Sequence, residues 1–383
     1  MKKILIVILA LSMILSFSAC GGGAGSGGNS GNSGSGDSSA SGDSGATGDV
    51  LKVGFILLGT ENDGGFTEAH CNGIREMEDY FGGKVVAMKM ENVSDQNRQD
   101  IEAAGQNLID AGCKVIIACS YGYIDVMADM AEEYPDIYFL HFSGDKKNDT
   151  NFDNFFGAME EPRYLAGIVA GMMTKTNKLG YVAAYPYTEV QIGINAFALG
   201  AQSVNPNAEV DVVYINTWYD PEKEKSAAEA LLAQGCDVLE QHCDTTGPLI
   251  AAQEAGAYAI GYNLDKPDAA PKAYLTAPIW DHGKYYIEVI TKILNGTFVP
   301  ESYYGHMADG YVDLAPLTDL VPDDVKAKVA EVKAKIISGE FAPFSGEIYY
   351  YDGTVLCNAG QTLTRAEIWS INKVIKGVNA VSQ

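Results

Sequence analysis

From Leu51 onward, short apolar runs alternate with segments of helical periodicity, and after Thr174 the alternation begins again. That pattern predicts an α/β fold of parallel sheets joined by right-handed crossovers. In the first series, residues 51–58, 85–90, 114–119, 137–142 and 154–159 read as strands. Helices are expected over 67–80, 95–111, 124–133 and 163–174. In the second series, strands fall at 179–184, 210–215, 238–242 and 258–262, with helices over 190–203, 221–234 and 248–255. Two such runs predict two similar lobes. The remainder is mixed: a strand at 273–277, helices over 282–294 and 323–337, extended pieces around Tyr303 and Tyr311, and a hairpin through Tyr349–Tyr351. Residues 49–176 are expected to form the first lobe with 272–296 returning to it, and 178–264 the second with 300–383 returning. The chain would then cross between lobes near 175–178, 265–272 and 295–301. Ligands in open α/β sheets bind beyond the carboxyl ends of the strands. A clamp of two such lobes therefore places its cleft between them.

The amino-terminal end is read separately. Lys2 and Lys3 precede an apolar run over 4–15, and Ser18-Ala19 precede Cys20, which together form an export signal over residues 1–20. The run is short of the ~20 residues needed to span a bilayer. Cys20 followed by three glycines resembles a bacterial lipobox, although Phe17 stands where such boxes usually carry Leu. The resemblance implies cleavage before Cys20 and a lipid anchor on its thiol. Residues 21–48 are almost only Gly, Ser, Asn, Asp and Ala. Such a segment buries too little apolar surface to order itself and reads as a flexible tether. Six further cysteines read as mostly free, buried thiols, since no C-x-x-C pair or His/Cys ligand spacing occurs. The formal net charge of −24 argues against nucleic acid as a partner.

Each strand-end loop carries aromatics, amides and carboxylates. The first holds Asn62, Asp63, paired glycines and Phe66; the third holds Tyr121 and, one turn on, Asp125. The second series contributes Glu189, Asn195, Trp218, Asp244 and Asn263, and the returning segment Trp280. Competing roles stand beside these. Asp63 and Asp244 also suit helix N-caps. Asp125 suits a first-turn acid. Trp218 and Trp280 suit packing, and Glu189 and Asn195 suit support of other groups. No Lys or Arg falls at these loop tips, so phosphate and nucleotides fit poorly. A planar ligand with several N–H donors fits well. Catalysis lacks its parts: Ser120 has no G-x-S-x-G elbow, and no histidine has a clear nucleophile partner. Asp63 with Asp244 mimics a glycosidase pair only weakly. No metal or cofactor is expected.

Five motifs together resemble the basic membrane protein (PnrA-like) family of ABC transporter substrate-binding lipoproteins. They are Asn62-Asp63-Gly64-Gly65-Phe66; Tyr164-Leu165-Ala166-Gly167 with Ala170-Gly171; Gly193-Ile194-Asn195-Ala196-Phe197 with Gly200-Ala201; Asn216-Thr217-Trp218-Tyr219-Asp220-Pro221; and Ala259-Ile260-Gly261-Tyr262-Asn263. The resemblance implies a type I periplasmic-binding fold with a three-crossing hinge, a lipid anchor on the outer face of the cell membrane, and an ABC permease and ATPase as partners of a monomer. It implies that Phe66 stacks on one face of a purine and Trp218, where a Phe is common, on the other. Asp125 matches the family's Asp after the third strand. Nucleoside-binding members hold ribose with an Asp and a Lys at the positions that here read Asn263 and Trp280. That departure points to a free purine base such as adenine ahead of a nucleoside. A surface sensor for the same ligands is the alternative, and a nucleoside hydrolase the most remote one.

Overall fold

A computed structural model describes residues 50–382, which belong to one compact unit. The first sheet begins with β1 (Leu51–Leu57), followed by α1 (Phe66–Phe81), β2 (Val85–Met90) and α2 (Arg98–Asp110). It continues through β3 (Val115–Cys119), α3 (Ile124–Glu133), β4 (Tyr138–Phe142) and β5 (Phe152–Gly157). Then come α4 (Glu160–Met173), β6 (Lys178–Ala183), α5 (Thr188–Val204), β7 (Glu209–Tyr214) and α6 (Pro221–Ala233). β8 (Val238–His242), α7 (Gly247–Ala255) and β9 (Tyr258–Ala259) complete the second alternation. The rest comprises β10 (Pro278–Trp280), α8 (His282–Leu294), β11 (Tyr303–Gly305), β12 (Val312–Leu314), α9 (Asp323–Ile337), β13 (Ile348–Tyr349), β14 (Val355–Cys357), α10 (Arg365–Ile368) and β15 (Val378–Ser382).

The strands form two parallel sheets, ordered β11-β5-β4-β3-β1-β2 and β15-β7-β6-β8-β9. In each, the first strand of the series lies between the second and the third. The connections therefore depart in opposite directions at β1/β3 and at β6/β8. Those are the topological switch points, where strand-end loops part and leave a crevice. β3 and β8 are buried along their whole length, as parallel strands covered on both faces must be. Helix starts follow local chemistry. Asp220 caps α6 by accepting from the Lys223 N–H ahead of Pro221, and Asp281 caps α8 by accepting from Lys284. This is the type I periplasmic-binding architecture.

The two sheets divide the chain differently from the sequence expectation. α4 was expected to close the first lobe, but it packs on α5 and α9 and belongs with the second sheet. The cause is a seat of small residues. A Cβ added at Gly167 would lie 2.0 Å from the Phe197 carbonyl oxygen, and one at Gly200 would lie 1.9 Å from that of Tyr164. Only glycine lets these two backbones touch. Residues 303–305 were expected with the second lobe, yet β11 pairs with β5 at the edge of the first sheet. Tyr303 packs there against Tyr285 of α8 and Tyr311. The expected strand at 273–277 is only a single bridge, Ala259 to Tyr274. The chain thus crosses between sheets at 158–159, along 263–281, and between β11 and β12. The last two crossings are tied by the antiparallel pair β10–β12.

Arg163 of α4 lies fully buried in the second lobe. Its guanidinium bonds Glu240 at 2.6 Å and the Gln241 carbonyl oxygen, and covers the Tyr262 ring at 4.1 Å. The cysteines 71, 113, 119, 236, 243 and 357 are all buried free thiols. Among the described residues no helix is long and apolar enough to cross a membrane. The expectations for residues 1–48, the Cys20 anchor among them, lie outside the described residues.

Replacing a helical glycine by alanine ordinarily stabilises by up to about 1 kcal/mol. Gly200→Ala should instead destabilise by about 3 kcal/mol, because backbone atoms and not flexible side chains stand in the way. Thermal unfolding of the variant checks this; a melting temperature at or above that of the native chain would refute the seat.

Candidate functional site

A cleft of about 370 Å³, its mouth included, opens where the two pairs of switch-point loops face each other. Its wall is built from Leu58 and Phe66 after β1, Ser120 and Tyr121 after β3, Phe142 and Phe156 at the ends of β4 and β5, and Glu189, Trp218, His242, Asp244 and Tyr262 from the second lobe. No Lys or Arg lines it.

The aromatic surface is assembled from both lobes. Phe66, on the first turn of α1, meets Phe142 edge-on at 5.3 Å and His70 at 4.5 Å. Both contacts hold its ring in one orientation. Trp218 packs against Tyr185 and Tyr187, which stack on each other at 4.8 Å. Tyr121 reaches across from the first lobe to Tyr187 at 5.3 Å. The backbone around Trp218 is fixed as well. Asn216 turns in the left-handed region at φ 54°, and the Trp218 carbonyl accepts from the Asp244 N–H.

Two acids and a histidine line the cleft, and all three are shifted. Burial pushes the Glu189 carboxyl up to about 7, opposed by the Ser143 hydroxyl that donates to it across the cleft, with Asp95 adding to the rise. Burial also raises Asp244 well above the usual carboxylate range, helped by Asp63 and Glu224. His242 is held neutral by burial and by the Arg163 charge behind it. Two acids that resist ionisation gain most from ligand N–H groups, which stabilise the carboxylate without adding negative charge.

The structure brings Phe66, Tyr121, Glu189, Trp218 and Asp244 together on the cleft wall. Asn263 and Trp280 lie behind it in a chain of bonds. The Trp280 indole N–H donates to the Asn263 side-chain oxygen at 3.1 Å, and the Asn263 amide donates to Asp244 at 3.3 Å. The Trp280 ring is buried against Phe142, Phe156 and His282. Four further expected residues are also off the wall. Asp63 turns its carboxylate onto the backbone N–H groups of Gly65, Thr67 and Glu68, the capping role. Asn62 is exposed on the loop. Asp125 is exposed and pairs with Lys146 at the surface. Asn195 is buried and bonds the backbone of Lys373 and Ile375, tying α5 to the carboxyl-terminal segment. Phe142, Phe156, His242 and Tyr262 were not among the expected residues, because they sit in apolar runs that read as core. Their place at or just past strand carboxyl ends was the available signal.

The lobes meet directly beside the cleft. Glu68 pairs with Lys266 at 2.5 Å, and a Cβ at Gly65 would lie 2.1 Å from the Asp244 carbonyl oxygen. The first loop therefore touches the second lobe backbone to backbone, which any side chain at position 65 forbids.

Residues 50–343 match the profile of a family described as ABC transporter substrate-binding protein PnrA-like. The chain belongs to that family. It is 37% identical to a purine-binding protein of Brucella abortus over 86% of this chain and 93% of that one. It is 38% identical to a putative ABC transporter glucose-binding protein of Haloferax volcanii over 60% of this chain and 59% of that one. Among solved structures, an ABC transporter solute-binding protein of Aeropyrum pernix superposes with a TM-score of 0.66 at 18% identity, covering 78% of this chain and 93% of that one. The family and the fold are those of solute-binding proteins of ABC transporters.

Gly65→Ala should weaken ligand binding about tenfold or more and limit compaction on adding ligand, because a Cβ there would lie 2.1 Å from the Asp244 carbonyl oxygen where the lobes touch. Calorimetry paired with small-angle scattering reads both. Native affinity with full compaction on adding ligand would refute the closure contact.

Proposed function

We propose that this protein captures a free purine base, adenine-like, for an ABC importer, and is held on the outer face of the cell membrane by lipid on Cys20. The observation that carries the ligand is the bond between Trp280 and Asn263. The family resemblance assigns ribose recognition to a carboxylate and an ammonium at these two positions. Here the Trp280 N–H is spent on the Asn263 oxygen and the Asn263 amide on Asp244, and the Trp280 ring is buried among Phe142, Phe156 and His282. A ribose would find neither a carboxylate acceptor nor an ammonium donor there. The purine-binding name of the Brucella relative supports the base.

Binding then works by closure. The base enters the open clamp, Phe66 and Trp218 flank it, and each stack contributes on the order of 1 kcal/mol. Glu189 and Asp244 accept from its N–H groups. A ligand that leaves those buried groups unpaired loses about 1–3 kcal/mol for each. The closed form presents a new surface to the permease. A sensor would use the same cleft and the same closure, and co-purification of a permease separates the two. A sugar is the second reading, favoured by the name of the Haloferax relative.

Titration calorimetry of the protein from Asp49 onward, refolded to remove bound ligand, tests the proposal with adenine, adenosine and glucose. Adenine should bind at least about a hundredfold tighter than adenosine, as two lost ribose partners require. Phe66→Ala and Trp218→Ala should each weaken adenine about tenfold or more. Tighter binding of adenosine would refute the base reading, and binding of glucose alone would refute the purine.

A further inference from the structure

Asp244 lines the cleft without the donors that Asp153 and Glu224 collect elsewhere in the fold. Asp153 accepts from the backbone N–H groups of Asn154, Glu301 and Ser302 at 2.8–3.0 Å. Glu224 accepts from the N–H groups of Asp220 and Thr245 and from the Thr245 hydroxyl. Half-buried Asp63 likewise takes three backbone N–H groups. The Asp244 side chain is 5% exposed and accepts from one donor, the Asn263 amide at 3.3 Å. A buried carboxylate needs several donors or a cation to stay charged. No cation makes up the difference. No Lys or Arg lines the cleft, and Lys266 beside it pairs with Glu68. The Arg163 guanidinium behind Tyr262 is spent on Glu240 and the Gln241 carbonyl oxygen. The charged groups that face Asp244 are acids: Asp63 from the loop before α1, Glu224 from α6 and Glu189 from α5. Burial raises the Asp244 pKa well above the usual carboxylate range, these three add to the rise, and the Asn263 amide opposes it.

We propose that Asp244 is a specificity-determining residue that holds the base as a neutral carboxylic acid, donating its O–H to a rim acceptor while its other oxygen accepts the N–H beside that acceptor. This assignment rests on the purine-base reading above. A carboxylate can only accept, whereas the acid donates and accepts at once. Adenine presents the matching pair, an exocyclic N–H next to a ring-nitrogen acceptor, the same edge that side-chain amides read bidentately in DNA. The acid form also needs no counter-charge, and the cleft wall offers none. The first lobe completes the burial, since the Gly65 backbone meets the Asp244 carbonyl oxygen. When the lobes part, water reaches the carboxyl and its pKa returns toward the ordinary carboxylate range. Binding therefore takes up a proton. With the pKa higher in the complex than in the open form, affinity is full below the ordinary carboxylate range. It falls about tenfold per pH unit above that range, until the raised pKa is reached.

Titration calorimetry with adenine, in buffers of different ionisation enthalpy, counts the protons bound. Native protein, Asp244→Asn and Asp244→Ala are compared between about pH 6 and about pH 8, where adenine itself stays neutral. Native protein should take up about one proton more than Asp244→Asn. The ratio of native to Asp244→Asn affinity should fall about tenfold or more across that range. Asp244→Asn should bind about tenfold or more tighter than Asp244→Ala at the upper end, because the amide keeps one donor and one acceptor. A ratio independent of pH, or equal proton uptake, would overturn the assignment, since Asp244 would then be ionised in the complex. Equal affinity of the Asn and Ala variants would overturn it too. Should the variants fail to fold, the native protein decides alone, and binding without proton uptake would overturn the assignment while leaving the base reading intact. Absence of any adenine binding by the native protein would overturn the base reading itself, and this assignment with it.

Discussion

The contact between α4 and α5 decides where everything else goes. Two helices meet through their backbones at Gly167 and Gly200, with Gly171 against Ala201 one turn on. Because α4 is the first element after the chain leaves β5, this seat sets the first crossing and so the position of the whole second sheet. It also drives Arg163 into the interior. An isolated buried guanidinium would cost several kcal/mol. Here it bonds Glu240 and a backbone oxygen and lies on the Tyr262 ring. Gly193 of α5 gives the arginine stem its room, since a Cβ there would lie 2.9 Å from Cδ and Nε.

That buried charge shapes the cleft without entering it. Tyr262 lies between the guanidinium and the site, and His242 is kept neutral by the same charge. The cleft itself presents two carboxyls that burial holds back from ionising. A site of this kind discriminates by leaving groups unpaired. A ligand lacking the right N–H pattern forfeits bonds that water cannot restore once the lobes have shut. The backbones of Gly65 and Asp244 meet beside the cleft, so the loop that carries Phe66 also joins the two lobes.

Much of the fold was legible in the alternation of apolar runs and amphipathic segments, because parallel strands covered on both faces leave that mark. The strand-end loops pointed to Phe66, Tyr121, Glu189, Trp218 and Asp244 for the same reason: in this class of sheet the ligand lies at the carboxyl ends. Other residues resisted. Asp63 carries the chemistry of a ligand group and of a helix cap alike, and nothing in its neighbours along the chain distinguishes the two. Phe142, Phe156 and Tyr262 read as core, since an apolar side chain at the last position of a strand looks the same whether it faces a helix or a cleft. Asn195 looked like a supporting polar group near the site. Its actual partners, Lys373 and Ile375, are about 180 residues away along the chain.

The sequence by itself determined the class of sheet, its two repeats, the acidic and aromatic character of the loops, and the family. These are properties of local pattern and composition, and local pattern survives without knowledge of partners. The tertiary structure alone decided which lobe owns α4 and β11, that Trp280 donates to Asn263 and Asn263 to Asp244, that the Gly65 and Asp244 backbones meet, and that the Trp218 N–H is left unpaired. Each of these depends on atoms distant in the chain coming within bonding or contact distance. Such encounters are set by the packing of whole elements, and no stretch of sequence records them.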